Sequence, residues 1–136
     1  MRGAFNHLAL TVSDLAASEA AFHAPVLRWM GYEKVEDHPG EMTLWFHEGA
    51  RLAVNLWQAT EAGDMDRRRP GFHHLAFTAA DRSEVDALHE MLVERAITVL
   101  DAPADYPDYG PNYRAVYFAC PDGMKWELAH MPVIPA

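Results

Sequence analysis

The sequence predicts an α+β fold built from two copies of one βαβββ module. The segment 5–14 recurs at 72–81 with six of ten positions identical, and each copy has a histidine at its third position. In each copy the side chains alternate between two faces, as in a β-strand, and the copy ends in an aspartate, a residue type common at the N-cap of a helix. Since 136 residues suit one compact domain, we expect a single domain, 1–136. It would comprise module one at 1–62, a connector at 63–70 and module two at 71–136.

Module one reads as a strand, a helix and three further strands. Residues 5–12 alternate between two faces, and Ser13 and Asp14 offer a cap for the following helix. Pro25 is expected to interrupt that helix and Gly31 to end it. The three further strands are predicted at 32–37, 42–47 and 51–58.

Module two repeats this order. A strand at 72–79 precedes a helix that Ser83 is expected to cap and that runs to about Arg95. The stretch 102–112 contains three prolines and is predicted to be a long loop of the kind that often covers a site. The remaining strands are predicted at 97–101, 113–119 and 124–130.

The composition excludes several classes of partner. A formal net charge of −9 argues against nucleic acid and anionic membranes, because phosphate attracts basic surfaces. No apolar run approaches the roughly 18 residues of a membrane span, and the early first strand leaves no room for a signal peptide. The single cysteine, Cys120, excludes an intrachain disulfide and suits a reducing compartment. We expect a cytoplasmic protein whose partner is a small molecule.

Three polar residues stand out on the predicted strands. His7, His74 and Glu127 are each followed, two positions later on the same strand face, by an alanine. Small neighbours leave open volume beside a polar group, as a binding cavity requires. A buried carboxylate is costly when unpaired, and a divalent ion held by two imidazoles and that carboxylate removes the cost. The pattern therefore predicts a metal site, although each histidine alone is typical of a hydrogen-bonded strand residue.

Three motifs together resemble the vicinal oxygen chelate superfamily, which includes glyoxalase I, extradiol dioxygenases, and fosfomycin and bleomycin resistance proteins. They are NHLALTVSDL at 6–15, GFHHLAF at 71–77 and PDGMKWEL at 121–128. The resemblance covers essentially the whole chain and points to an uncharacterised bacterial branch. It implies two βαβββ modules whose sheets curve into one eight-stranded cup with a metal on its concave side. It places the four ligand positions at His7, Asn55, His74 and Glu127.

The resemblance also bears on the reaction. Glyoxalase I has a glutamate at the position of Asn55, so an amide there argues against glyoxalase chemistry. The ring-cleaving dioxygenases use two histidines and one glutamate, with a tyrosine ten residues before that glutamate, which is Tyr117 here. The strand at 51–58 lacks the additional histidine of those enzymes. The match to the dioxygenases is therefore partial, and the contribution of Asn55 is left open.

Three functions follow from these residues. The first is a metal-dependent enzyme that holds a substrate through two oxygens, with Fe(II), Zn, Ni or Mn bound and with Glu127 and Tyr117 as catalytic residues. The second is an isomerase or lyase of the lactoylglutathione lyase type. The third is a resistance protein that binds an antibiotic or aromatic compound without turnover. The resemblance implies a homodimer in each case.

The other histidines are not expected at the site. His73 adjoins His74 and is predicted to face the opposite side, in the core or an interface. His23 is predicted to lie at the surface.

Overall fold

The computed structural model describes residues 1–131, which form two compact units. The first comprises Met1–Gly63 and the second begins at Asp64. Each unit has one four-stranded mixed sheet, with its helical segment between the first and second strands. This confirms the α+β class and the βαβββ order in both halves. The last part of module two, 132–136, lies outside the described residues.

The first unit contains a four-stranded sheet whose first strand has one buried and one exposed face. The strand order is β1-β4-β3-β2, with β1 parallel to β4 and the other pairs antiparallel. On β1 the buried residues Leu10 and Val12 alternate with exposed His7, Ala9 and Thr11, as the sequence predicts. The strands are β1 (His7–Val12), β2 (Glu33–His38), β3 (Met42–His47) and β4 (Leu52–Gln58).

The helical segment of the first unit is interrupted, as the proline predicts. It consists of α1 (Leu15–Ser18), a π-turn (Glu19–His23) and α2 (Ala24–Trp29). Pro25 has no N–H to continue the preceding hydrogen-bond ladder, so the turn before it widens. A widened turn shifts the helical phase, and His23 becomes fully buried. The prediction of a surface position for His23 is wrong for this reason.

The second unit has the matching order β5-β8-β7-β6, with β5 parallel to β8. Asp81 caps its helix by accepting from the Glu84 N–H at 3.0 Å. The prediction that Ser83 is the cap is wrong, because Ser83 lies in the first turn and its hydroxyl donates to Asp81 at 2.6 Å. Among the described helices, none has the length and apolarity to cross a membrane. The elements are β5 (Leu75–Thr78), α3 (Arg82–Glu94), β6 (Thr98–Asp105), β7 (Arg114–Ala119) and β8 (Lys125–His130).

Two strands of the second unit differ from their predicted bounds. β6 continues to Asp105 through Pro103, where the sequence predicts a loop, and a 3₁₀ helix follows at Pro107–Tyr109. A proline is tolerated there because β6 is an edge strand with irregular register. β5 begins at Leu75 rather than at 72, so His73 precedes the pleated strand. His73 is exposed in the single chain, so its predicted place in the core is wrong, whereas the alternative of an interface stays a prediction.

Candidate metal-binding site

Two of the predicted ligands meet in the second unit. The Glu127 side chain, in the middle of β8, is only 2% exposed. Its Oε1 lies 2.9 Å from Nε2 of His74. Its Oε2 accepts a hydrogen bond from the Tyr113 hydroxyl at 2.5 Å. The carboxylate is thus held at both oxygens.

The parallel pairing of β5 and β8 brings these residues together from 53 positions apart. Ala76 is the register partner of Glu127, and His74 precedes Ala76 by two residues, which sets it on the same face. Ala129 lies two residues beyond Glu127 on that face. Ala129 packs with Ala115 and Tyr117, and Tyr106 and Tyr113 lie against this cluster.

The charge of Glu127 has no cationic side chain from a lysine or arginine beside it. Across residues 1–131, the one basic side chain that contacts it is His74, which is a cation only when it is protonated. Lys125 instead places its Nζ over the Tyr117 ring, 4.4 Å from the centroid. A buried carboxylate without a cation is unfavourable. Its surroundings therefore suit a cation supplied from outside the chain, and an imidazole nitrogen beside a carboxylate oxygen is a donor set that divalent metals accept.

Tyr117 of β7, and Tyr113 directly before β7, both face this carboxylate. Burial raises the pKa of the Tyr113 hydroxyl far above its ordinary value, and the hydrogen bond to Glu127 adds to the shift. Burial and the charge of Glu127 raise the pKa of Tyr117 in the same direction. Both phenols therefore stay protonated at neutral pH and can donate hydrogen bonds.

Tyr113 is a site residue that the sequence reasoning missed. Tyr117 was predicted, and it is the register partner of Glu127 across β7 and β8. Tyr113, Ala115 and Tyr117 follow one another at two-residue spacing, which places them on one face of an extended chain. That alternation was the available signal.

Two further tyrosines extend this aromatic surface. Tyr106 packs edge-on against Tyr117, with ring centroids 5.7 Å apart, and stacks on Tyr109 at 5.5 Å. Tyr109 in turn contacts Tyr113 at 5.5 Å. The approach to Glu127 in the second unit is thus lined by phenol rings, which we call the tyrosine cluster.

The third predicted ligand, His7, belongs to the first unit. It is exposed at the start of β1, and its Nδ1 lies 2.8 Å from the Asn6 Oδ1. An amide oxygen only accepts, so the Nδ1 of His7 carries a proton, and in the neutral ring the lone pair is then on Nε2. That form of imidazole is able to bind a metal. A place for His7 in one site with His74 and Glu127 stays a prediction.

Asn55 occupies the place of Glu127 in the first unit, and its polar atoms are already engaged there. Its Nδ2 donates to the Thr43 carbonyl at 2.9 Å, and its Oδ1 accepts from the Trp57 Nε1 at 2.7 Å. Asn55 is 9% exposed, and both of its hydrogen bonds are to residues of its own sheet.

The structure thus brings together some of the predicted site residues. His74, Glu127 and Tyr117 share one face of the second unit, whereas His7 lies in the first. No three His, Cys, Asp or Glu side chains within residues 1–131 form a metal-binding group. The pair of His74 and Glu127 is accordingly the centre of the candidate site.

Comparison with known proteins places this geometry in a family. Residues 4–128 match the family model described as the Glyoxalase/Bleomycin resistance protein/Dioxygenase superfamily. The uncharacterized protein YqjT of Bacillus subtilis (strain 168) is 31% identical over 126 residues, covering 90% of this chain and 95% of YqjT. A 2-epi-5-epi-valiolone epimerase from an Actinomyces species is 33% identical over 150 residues, covering 95% of this chain and 80% of the epimerase.

A solved structure agrees with the family match. Lactoylglutathione lyase from Agrobacterium tumefaciens superposes with a TM-score of 0.68 at 25% identity. The superposition covers 94% of this chain and 93% of the lyase. The similarity therefore extends over nearly the full length of both proteins.

Proposed function

The chain belongs to the glyoxalase/bleomycin resistance protein/dioxygenase superfamily, and from that premise we propose that it is a metal-dependent enzyme acting on a small molecule that binds through two oxygen atoms. The observation that carries the proposal is the buried carboxylate of Glu127, held by His74 and Tyr113 with no lysine or arginine paired to it among the described residues. The proposed metal ligands are His7, His74 and Glu127. Two histidines and one carboxylate leave open positions for a substrate.

The chemistry divides between the bound ion and the chain. A divalent ion such as Fe(II), Zn(II), Ni(II) or Mn(II) would supply a Lewis acid that stabilises negative charge on a substrate oxygen. Tyr117, which stays protonated, is proposed to donate a proton or hydrogen bond to that oxygen. Glu127 would hold the ion, and the Tyr113 hydroxyl would fix the orientation of Glu127.

Within this function we favour proton transfer next to a carbonyl, which is an epimerisation or isomerisation. The supporting observations are the likeness to an epimerase over 95% of this chain and the protonated phenols, which can donate to the substrate oxygen. The Glu127 carboxylate is the group that would take up the proton leaving the neighbouring carbon. Asn55 supports a set of three ligands rather than four, since both of its polar atoms bond within its own sheet. Ring cleavage by a dioxygenase remains the alternative, because it would use the same three ligands with Fe(II) and oxygen.

A second candidate function is binding of a flat compound without turnover. The tyrosine cluster favours it, because phenol rings offer stacking surfaces. Metal content separates the two functions, since sequestration of this kind does not need a metal.

The proposal is tested by elemental analysis of anaerobically purified protein followed by three assays. We expect about one divalent ion per chain. We also expect deuterium from heavy water to enter an epimerised substrate, with 2-epi-5-epi-valiolone as the first compound tried. Oxygen uptake with a panel of catechols would instead assign the dioxygenase reaction, and turnover of methylglyoxal with glutathione the lyase reaction. If the purified protein lacks stoichiometric metal and cannot be loaded with it, the proposal of a metal-dependent enzyme is wrong.

We further propose that the enzyme is a cytoplasmic homodimer. Cys120 is buried and free, which suits a reducing compartment. Light scattering of the purified protein should give twice the 15.3 kDa mass of the chain. A monomeric mass at working concentrations would contradict the dimer.

A further inference from the structure

The residue before each candidate ligand histidine contacts that histidine through the same ring nitrogen. Asn6 Oδ1 lies 2.8 Å from Nδ1 of His7, and Nδ1 of His73 lies 2.7 Å from Nδ1 of His74. Asn6 and His73 are the second residues of the two repeated segments, so the contacts occupy equivalent positions. Both contacts engage Nδ1 of the following histidine, but Asn6 accepts from His7, whereas His73 donates to His74 as long as the Nε2–H of His74 faces Glu127.

The contacts depend on where the strands begin. Neighbouring side chains within a strand point to opposite faces. β1 begins at His7 and β5 at Leu75, so Asn6 and His73 both precede the pleated chain. Each is exposed and able to turn toward the next residue.

The contact at His7 selects one form of its ring. The amide oxygen of Asn6 only accepts hydrogen bonds, so Nδ1 of His7 is the donor. The Nε2 of His7 is then free of its proton and carries the lone pair that a metal requires.

The contact at His74 can serve two forms of its ring. When the Nε2–H of His74 donates to Glu127, its Nδ1 accepts from the Nδ1–H of His73. When His74 gives its Nε2 proton to water, its Nδ1 takes the Nδ1 proton of His73, and the contact runs in reverse. The exposed His73 ring then gains a proton from water at Nε2. Both rings remain neutral throughout, and His74 is left with the Nε2 lone pair facing Glu127.

We propose that Asn6 and His73 are positioning residues that hold His7 and His74 with the proton on Nδ1, leaving each Nε2 to bind a divalent ion. The inference rests on the proposed metal site and extends it to two residues that would not touch the metal. Hydrogen-bond partners of this kind affect metal affinity by roughly 10- to 100-fold.

Zinc titration of the full-length protein tests the inference, with a chromophoric chelator as competitor. His73→Phe keeps an aromatic ring without the nitrogen, and we expect it to bind Zn²⁺ roughly 10- to 100-fold more weakly. His73→Asn places an amide oxygen near the position of Nδ1 and should recover most of that loss. Asn6→Ala should weaken binding in the same way, with Asn6→Asp as its acceptor-retaining control.

Nitrogen-15 spectra of the histidine rings give a readout that is independent of affinity and activity. In the wild type, the proton of His74 should move from Nε2 to Nδ1 on adding Zn²⁺, and His73→Phe should impair that change. Unchanged Zn²⁺ affinity and an unchanged His74 tautomer in His73→Phe would overturn the inference.

The controls separate this inference from the proposed function. If His74→Ala loses Zn²⁺ while His73→Phe and Asn6→Ala bind it normally, the metal site stands and the positioning role fails. If the wild type does not bind Zn²⁺ at all, both fail. Thermal unfolding of each variant confirms that the exposed substitutions leave the fold intact.

Discussion

Within residues 1–131, each unit buries one glutamate, and the two carboxylates are stabilised in different ways. Glu19 in the first unit is 8% exposed and pairs with the ammonium of Lys34. It also accepts from the Thr43 hydroxyl at 2.6 Å and the Trp45 Nε1 at 3.2 Å. Glu127 in the second unit is buried more deeply, yet its contacts come from an imidazole and a phenol.

This difference shows which of the two buried carboxylates has its countercharge within the fold. Burial alone would raise the pKa of Glu19, but the hydrogen bonds from Lys34, Thr43 and Trp45 outweigh it and lower that pKa. Glu19 therefore carries its countercharge within the fold. Glu127 has no such lysine in the described chain, which is why we infer that its cation comes from outside.

The largest expected effect is on metal retention by Glu127→Ala. Removing the one anionic ligand should weaken binding by more than about 100-fold, beyond the effect of losing an outer partner. Asn55→Ala is the matched control from the first unit and should retain the metal, because Asn55 bonds to its own sheet. Elemental analysis after gel filtration measures both. Equal loss of metal from the two variants would indicate that Asn55 is a fourth ligand and would contradict the proposed difference between the units.

Tyr113→Phe should have the next largest effect. The variant removes the donor to Glu127 Oε2 and leaves that carboxylate less firmly oriented. We expect metal affinity to fall roughly 10- to 100-fold. Tyr109→Phe is the control, since Tyr109 is 63% exposed and contacts Tyr113 through its ring. Similar affinities for the two variants would show that the Tyr113 hydroxyl does not position Glu127.

Paired glutamine substitutions in metal-free protein sharpen the comparison further. Glu19→Gln leaves Lys34 without its main partner and should lower the free energy of unfolding by about 1–2 kcal/mol, a value reduced for the partial exposure of Lys34. Glu127→Gln removes a buried charge that has no lysine beside it and should leave stability unchanged or raise it by up to about 1 kcal/mol. Urea denaturation measures both. A larger loss from Glu127→Gln would contradict the assignment of Glu19 as the internally paired glutamate.

The smallest expected effect is on stability in acid. Because the pKa of Glu19 is lower in the folded protein than its ordinary 4.5, its contribution is present above that pH and is lost as the pH falls through the folded value. The free energy of unfolding should therefore decline as the pH falls below about 4.5, and more steeply in the wild type than in Glu19→Gln. Urea midpoints across this range provide the measurement. Parallel curves for the two proteins would show that Glu19 is not stabilised in its charged form.

The sequence predicted the architecture well because the repeat and the two-residue alternation are direct consequences of strand geometry. That alternation placed His74 and Glu127 on the faces that carry Ala76 and Ala129, and their side chains meet in the second unit. Tyr117 was predicted from the family resemblance, and it is the register partner of Glu127. The alternation also separated exposed His7 from buried Leu10 and Val12 on β1.

The missed details depend on competition between neighbouring groups. Asp81 rather than Ser83 caps α3, because both residue types suit a cap and only the hydrogen bonds decide between them. The extension of β6 past Pro103 depends on β6 lying at a sheet edge, which is a property of the assembled sheet. The contact of His73 with His74 depends on a strand that begins three residues later than predicted.

The pairing of β5 with β8 has a consequence for the order of folding. β8 is the partner of β5 among the described strands, and 53 residues separate His74 from Glu127. Closing a chain segment of that length has an entropic penalty whose length-dependent part is on the order of 3.5 kcal/mol. We expect β5 to dock late, after the hairpins of β6, β7 and β8 have formed locally. The histidine and carboxylate then come together only as the second unit completes its sheet, so we expect the proposed metal ion to bind after this step rather than to nucleate it.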